Sequence, residues 1–214
     1  MTLLDQMESL KKTPLYDRHV TLGGKIVNFG GFALPVYYSN ILAEHQWTRQ
    51  SVSAFDVSHL GEFEIQGEGA FQFLQERLTN DLTPLKDNHV LYNLLCNEKG
   101  GVMDDLLVYR ANAKSFYLIV NAANIQTDFD AFTKNAPKNV EIVDRSDRTA
   151  CIAVQGPKSE ETLEKLFGFK LKSMAYYSFK EERFLDNSVW VSRSGYTGED
   201  GFEIFSSNEL CGPI

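Results

Sequence analysis

The chain's 214 residues, 43% hydrophobic and 23% charged, are ordinary for a soluble globular protein of one large or two small domains. A formal net charge of -8 speaks against a nucleic-acid binder, whose affinity rests on neutralising phosphates. No stretch of the sequence reaches the length and apolarity of a membrane span, so neither nucleic acid nor membrane is an expected partner.

The opening residues, MTLLDQMESLKKTPLYDRH, mix acids and lysines among apolar side chains. That fits neither a secretory apolar core nor an acid-poor transit peptide, and the expected compartment is cytoplasmic. Gly23-Gly24 reads as a turn before a strand, Lys25 to Phe29, which Gly30-Gly31 breaks. Ser39 then reads as the N-cap of a helix over 40–53, with Ile41, Leu42, His45, Trp47 and Val52 roughly along one side.

From Gly61 the pattern becomes regular. EFEIQ alternates like a half-buried strand, and GAFQFLQERL has helical spacing at Phe71, Leu74 and Leu78. HVLYNLLC and VMDDLLVYR are strands joined by the turn NEKGG; FYLIV is a third strand, AANIQTDFDAFTK a helix and NVEIVD a closing strand. The order β-α-β-β-β-α-β predicts an α+β fold with a ferredoxin-like module carrying an additional strand. Beyond it come the strand TACIAVQ and the helix GPKSEETLEKLF, with acids in its first turn as the helix dipole favours. VWVSRS and FEIFSS are strands flanking the glycine-rich turn GYTGEDG, and ELCGPI follows with no closing helix predicted. A chain that stops just after an interior-looking strand is expected to be incomplete.

Cys96, Cys151 and Cys211 are odd in number and far apart, which predicts reduced thiols, buried at Cys96 and Cys151. His19, His45, His59 and His89 have no metal-ligand spacing, and no metal site is expected.

Three stretches could carry chemistry. FDVSHLGEFEI crowds Asp56, Ser58 and His59 together, but triad members normally come from separate elements, so a turn leading into the strand is the favoured reading. In SRSGYTGEDGFEI, the spacing of Gly195, Gly198 and Gly201 suits a close approach of backbone to a ligand; Glu199 and Asp200 would repel a phosphate, and as an isolated acid Glu203 reads as solvent-facing. In GGVMDDLLVY, Asp104 and Asp105 are neighbours on one strand and point to opposite faces. That excludes a carboxylate dyad sharing one proton unless a bulge intervenes, and leaves one aspartate as the candidate for a cleft.

Seven stretches carry a resemblance: TPLYDRHVTLGGKIVNFGGFALPVYY, EHQWTRQSVSAFDVSHLGEFEIQG, FLQERLTNDLTPL, YNLLCNEKGGVMDDLLVYR, LIVNAANIQTD, AVQGP and SRSGYTGEDGFEI, from Pro14 to Ile204. Together they resemble the aminomethyltransferase (T-protein) family of the glycine cleavage system. The resemblance implies three domains around a central folate site: a discontinuous first domain at 1–54 and 149–214, incomplete here, a second at 55–148, and a C-terminal β-rich domain that this chain lacks. The implied partner is the lipoylated carrier (H) protein, whose lipoyl arm bears the aminomethyl group. The implied reaction passes the methylene carbon to tetrahydrofolate, releasing ammonia and a dihydrolipoyl arm.

By the same resemblance Asp104 is the catalytic acid beside N5 of the pterin, and Glu203 pairs with the pterin's donor edge. Tyr196, Tyr92 and Tyr177 are implied to line the folate pocket, and Asn121 to make a polar contact there. Phe32 and Leu34 stand where the family commonly has Trp and Met. The arginines that hold the folate tail belong to the missing region, so weak or no folate binding is expected of this chain alone. A folate-binding, non-transferase relative that helps mature iron–sulfur proteins is the alternative, but such relatives carry a cysteine in the glycine-rich turn, and RSGYTGEDG has none. A folate domain of a larger amine dehydrogenase is a third possibility; this chain contains no GxGxxG segment.

Overall fold

The computed structural model describes residues 9–214. They form two compact units. One comprises the chain up to His59 with Thr149–Tyr176 and Lys180–Ile214; the other comprises Leu60–Arg148 and Tyr177–Phe179.

The first unit begins with helix α1 (Tyr16–Thr21) and the hairpin of β1 (Ile26–Phe29) and β2 (Phe32–Pro35). Gly30 and Gly31 make its turn with positive φ, as the paired glycines suggest. Helix α2 (Ile41–Gln50) starts one residue later than predicted, because Asn40 is its cap and accepts the Ala43 N–H at 3.1 Å. Ser39 instead donates its N–H and hydroxyl to Glu44 Oε1, which also receives the N–H groups of Tyr38 and Asn40. Asn40→Ala should therefore cost about 1 kcal/mol, read from the shift of a urea unfolding midpoint. An unchanged midpoint would mean that Glu44 alone secures the turn.

Of the apolar residues predicted along α2, Val52, just beyond the helix's end, packs against the core of the first unit, and those within the helix do not. Ile41 and Leu42 are exposed, Trp47 is 59% exposed, and only Thr48 of this helix is buried. The Trp47 indole N–H is bonded to the Val52 carbonyl at 2.9 Å, tying the ring to its own chain. Ile41 and Trp47 line a cavity of about 920 Å³ with Phe29, Val36, Phe55 and His59. None of the predicted site residues lines it. Strand β3 (Ser53–Asp56) then leads into the second unit.

That unit runs β4 (Gly61–Gln66), α3 (Ala70–Arg77), β5 (His89–Cys96), β6 (Val102–Asn112), β7 (Ser115–Val120), α4 (Ile125–Thr133) and β8 (Glu141–Asp144). Its sheet has the order β5-β6-β7-β4-β8, with antiparallel neighbours throughout. This is the predicted ferredoxin-like arrangement, with β5 as the additional strand at one edge. Phe63 and Ile65 of β4, Leu106 and Val108 of β6, and Phe116 and Leu118 of β7 supply the core, against Leu74 and Phe132 of the helices. Strand β4 is not half-buried: Glu62 and Glu64, on its other face, are buried too. Glu64 tolerates this because Arg145 lies 2.7 Å away and Tyr117 donates its hydroxyl at 2.8 Å.

The chain then completes the first unit with β9 (Thr149–Gln155), α5 (Ser159–Phe167), β10 (Phe179–Phe184), β11 (Asn187–Ser192), β12 (Gly201–Ser207) and α6 (Asn208–Cys211). Its sheet has the order β10-β11-β12-β9-β3. Strand β10 escapes a pattern search because the four residues between the phenylalanines of FKEERF are all charged, as suits a sheet edge. Leu185 and Asp186, both at positive φ, turn it tightly into β11. Contrary to expectation, a closing helix turn exists: α6 buries Leu210 and Cys211. No disulfide joins the three cysteines; Cys151 is buried as expected and Cys211 is too, whereas Cys96, at the bulged end of β5, is only half-buried.

Candidate functional site

The Asp56-Ser58-His59 cluster is a turn. The Ser58 N–H donates to Asp56 Oδ1 at 3.0 Å, and the Ser58 hydroxyl is spent on the backbone of Cys151. Asp56 is bonded to His19 Nε2 at 2.8 Å, whose other nitrogen meets the Tyr38 hydroxyl at 2.7 Å. His59 sits between the rings of Phe29 and Phe32, and burial lowers its pKa. Nothing here assembles a nucleophile with its base.

The glycine-rich turn of the first unit wraps a side chain of that same unit. Gln155, buried at the end of β9, donates to the carbonyls of Ser194 and Phe202 and accepts the Thr197 hydroxyl at 3.0 Å. A Cβ on Gly195 or Gly201 would lie under 3.0 Å from the Gln155 side chain, so the backbone approaches glutamine there. The two acids of the turn are paired: Glu199 with Arg49 at 3.1 Å, and Asp200 with Arg193 Nε at 2.9 Å. Tyr196 stands 70% exposed.

Glu203 corrects the solvent-facing reading of its strand. It is only 4% exposed, on the face of β12 opposite Phe202 and Ile204, and accepts a hydrogen bond from the Ser194 hydroxyl. The Ser192 hydroxyl lies 2.8 Å from that of Ser194, so a short hydroxyl chain leads to the carboxylate. Both faces of this strand are buried, and alternation alone does not reveal that.

In the second unit Asp104 is 4% exposed and held from three sides. Leu95 pairs with Asp104 and Cys96 with Val102, so Met103 bulges out of the ladder immediately before it. Asp104 shares a face with Leu106 and Val108, the core face, whereas Asp105 shares the other with Leu107 and Tyr109. Chain reversal after β7, through the 3-10 turn Ala122–Asn124, brings two asparagines to Asp104. Asn121 gives its N–H to Oδ2 at 3.0 Å and its amide to Oδ1 at 2.9 Å; Asn124 gives its amide to Oδ1 at 2.7 Å. These are all N–H donors, the partners a carboxylate needs when buried.

The Asn121 amide also reaches the Asp105 carbonyl at 3.0 Å and Asp105 Oδ1 at 3.2 Å, so one side chain ties both aspartates. Tyr92 is brought to Asp105 rather than to Asp104: partial desolvation and the Asp105 carboxylate that it bonds raise its phenol pKa. Its neighbour Asn93 points the other way and is fully buried. There its Oδ1 accepts the Asn80 N–H at 2.9 Å and the Thr79 hydroxyl at 3.3 Å, fixing the turn after α3. Tyr177, at φ 59°, accepts the Val90 N–H on its carbonyl at 2.8 Å and is half-buried. Asn124 and Asp128 were not read from the sequence as site residues. Their spacing of four, continued by Phe132 on the core stripe of α4, is the signal that an acid sits on a buried face.

A family model described as the GCVT N-terminal domain matches residues 15–212. The chain belongs to that family. It is 48% identical over 207 residues to an aminomethyltransferase of a Thermoanaerobacter species, covering 96% of this chain and 56% of that protein. An aminomethyltransferase of Thermotoga neapolitana is 45% identical over 206 residues, covering 96% and 57%. This GCVT N-terminal domain chain thus spans about half the length of the curated relatives it matches. The crystal structure of glycine cleavage system aminomethyltransferase T from Bartonella henselae superposes with a TM-score of 0.89 at 33% identity, over 96% of this chain and 56% of that one. Heterotetrameric sarcosine oxidase from a Corynebacterium species shares the fold, with a TM-score of 0.58 at 14% identity. No helix among the described residues is long and apolar enough to cross a membrane.

Proposed function

We propose that this chain serves a cytoplasmic, tetrahydrofolate-dependent aminomethyltransferase of the glycine cleavage system. The carrier is the lipoylated H protein. The methylene carbon passes from its aminomethylated lipoyl arm to tetrahydrofolate, and ammonia is released. The observation that carries the reading is Asp104: a buried carboxylate gripped by the N–H groups of Asn121 and Asn124 within a chain whose relatives are aminomethyltransferases. A carboxylate so fixed is preorganised to take or hold the proton of an attacking nitrogen, here N5 of the pterin, without reorganising as charge develops.

The remaining roles follow from chemistry. Glu203, buried with one oxygen on Ser194, offers a planar acceptor edge for the paired N–H donors of an aminopyrimidine. Tyr196, Tyr92 and Tyr177 supply aromatic surface for flat rings. Asn121 spends its donors on the two aspartates, so its part in folate recognition runs through them and through its own amide oxygen.

The test is tetrahydrofolate-dependent ammonia release from an aminomethylated lipoyl carrier. It is run with this chain and with a hybrid in which it replaces the matching 207 residues of the Thermoanaerobacter protein. Release by either supports the reading. A hybrid that folds, by circular dichroism, yet releases none removes it.

A further inference from the structure

One buried acid has no part in this account. Asp128, in the first turn of α4, is 0% exposed, and neither of its carboxyl oxygens receives a hydrogen bond from any described residue. An ionised carboxylate there would forfeit its hydration and gain no donor in return. Its charged neighbour makes matters worse. Asn124, four residues before Asp128 at the start of the same helix, donates to Asp104 Oδ1 at 2.7 Å, which brings Asp104 to the side of the helix on which Asp128 stands. Arg77 of α3 is spent on the Ala131 and Lys134 carbonyls at the helix's other end, and of Asp104 and Asp105 on β6, Glu62 and Glu64 on β4, and Glu141 and Asp144 on β8, it is Asp104, of the same sign, whose charge bears on Asp128. Two carboxylates are both acceptors and cannot bond each other unless one carries a proton. Asp104 already faces three N–H donors from Asn121 and Asn124, which suit its ionised form, so the proton belongs to the partner that has no donor.

We propose that Asp128 is a positioning residue for Asp104: a neutral carboxylic acid whose O–H donates to the Asp104 carboxylate and keeps the pair at a single negative charge. Burial, then the hydrogen bond to Asp104 and the charge of that group, push Asp128 up to about 8, in keeping with the geometry. Asp104 is then held by amides on one side and by an acid on the other, and cannot rotate away from its place at the bulge. Between Asp104 and Asp105 stands the Asn121 amide, which donates to both, so that pair is joined by a donor and needs no shared proton. The acid that completes the pair comes from the helix behind. The catalytic consequence rests on the aminomethyl-transfer reading; the proton itself does not.

The test therefore needs neither folate nor carrier. The chain labelled with carbon-13 at aspartate carboxyl groups is titrated by NMR, under which Glu62, itself raised well above the usual range by burial, is silent. One aspartate resonance should remain protonated at neutral pH and titrate near 8, and the Asp104 carboxyl signal should move at that same midpoint as its neighbour loses the proton. In Asp128→Asn, which keeps a neutral donor but cannot ionise, both alkaline features should vanish while the Asp104 signal stays close to its neutral-pH position. A side chain that merely fills space would not move the Asp104 signal with pH.

Thermal unfolding gives an independent arm. The folded chain holds a proton that the unfolded chain has lost, so stability falls as pH rises from about 4 to about 8. Asp128→Asn should remove that part of the slope. If every aspartate of the wild-type chain is ionised by about pH 6, or if the variant keeps the full slope, the proposal is overturned. Failure of ammonia release by the hybrid would count against the transferase reading and leave these two results standing.

Discussion

Asp104→Asn in the hybrid should lower tetrahydrofolate-dependent ammonia release by about 10²- to 10⁴-fold, the usual range for losing a positioned acid or base. Folate binding, followed by calorimetry, should change little. The amide keeps the size of the carboxylate but loses its charge and one acceptor. Three N–H donors converge on the two oxygens of Asp104, so an amide must turn its own N–H toward one of them. That mismatch costs about 1–3 kcal/mol and adds a local loosening to the chemical loss. Asp105→Asn is the control. Asp105 is half-buried and shares its face with Tyr92, and asparagine retains an acceptor for the Asn121 amide. Its loss should be no more than about 10-fold, of the order of one hydrogen bond. Equal losses in the two variants would show that the aspartates act as a unit through Asn121, and the distinction between them would fall.

That distinction was half legible in the sequence. Alternation separates Asp104 from Asp105 correctly, because the strand pattern resumes directly after the bulge at Met103. It does not show that Asn121, at the end of β7, reaches back to both, since a strand end is free to aim its side chain across the ladder. The ferredoxin-like order was readable because each strand of that module carries its own apolar stripe, ending in turns such as NEKGG. Burial on the second face was not. Glu62, Glu64 and Glu203 each read as the polar side of a half-buried strand, yet all three are buried. Period-two reasoning marks which residues share a face and says nothing about what covers it. The converse failure is α2, whose Ile41, Leu42 and Trp47 look like a core stripe and lie exposed. Asp128 was hidden for a third reason. An acid in the first turn of a helix is what the dipole favours at any surface, so its residue type masks the buried face on which it stands.

Gly201→Ala should destabilise the first unit by about 1–3 kcal/mol, the range for overpacking a well-filled interior, and a change at Gln155 should suppress much of it. Gly201 is the first residue of β12, in register with Gln155 of β9. A methyl group there would run into the Gln155 side chain, which is buried and held at both ends: its amide donates to Ser194 and Phe202, and its oxygen accepts from Thr197. Swinging aside would break those hydrogen bonds. Gln155→Ala alone should also cost stability, because two carbonyls and a hydroxyl lose their partner. The alanine at 155 nevertheless opens the space that a methyl at 201 requires, so the double variant should lose at least about 1 kcal/mol less than the sum of the singles. Urea unfolding of the four proteins closes the cycle. Strict additivity would mean that the strand relaxes away from Gln155 on its own, and that the glycine answers to something else. A coupled pair would establish that the GYTGEDG turn takes its shape from a glutamine of the same unit. The exposed Tyr196 would then be presented by a rigid loop, with Glu203 two residues past Gly201 on the strand that the glutamine anchors.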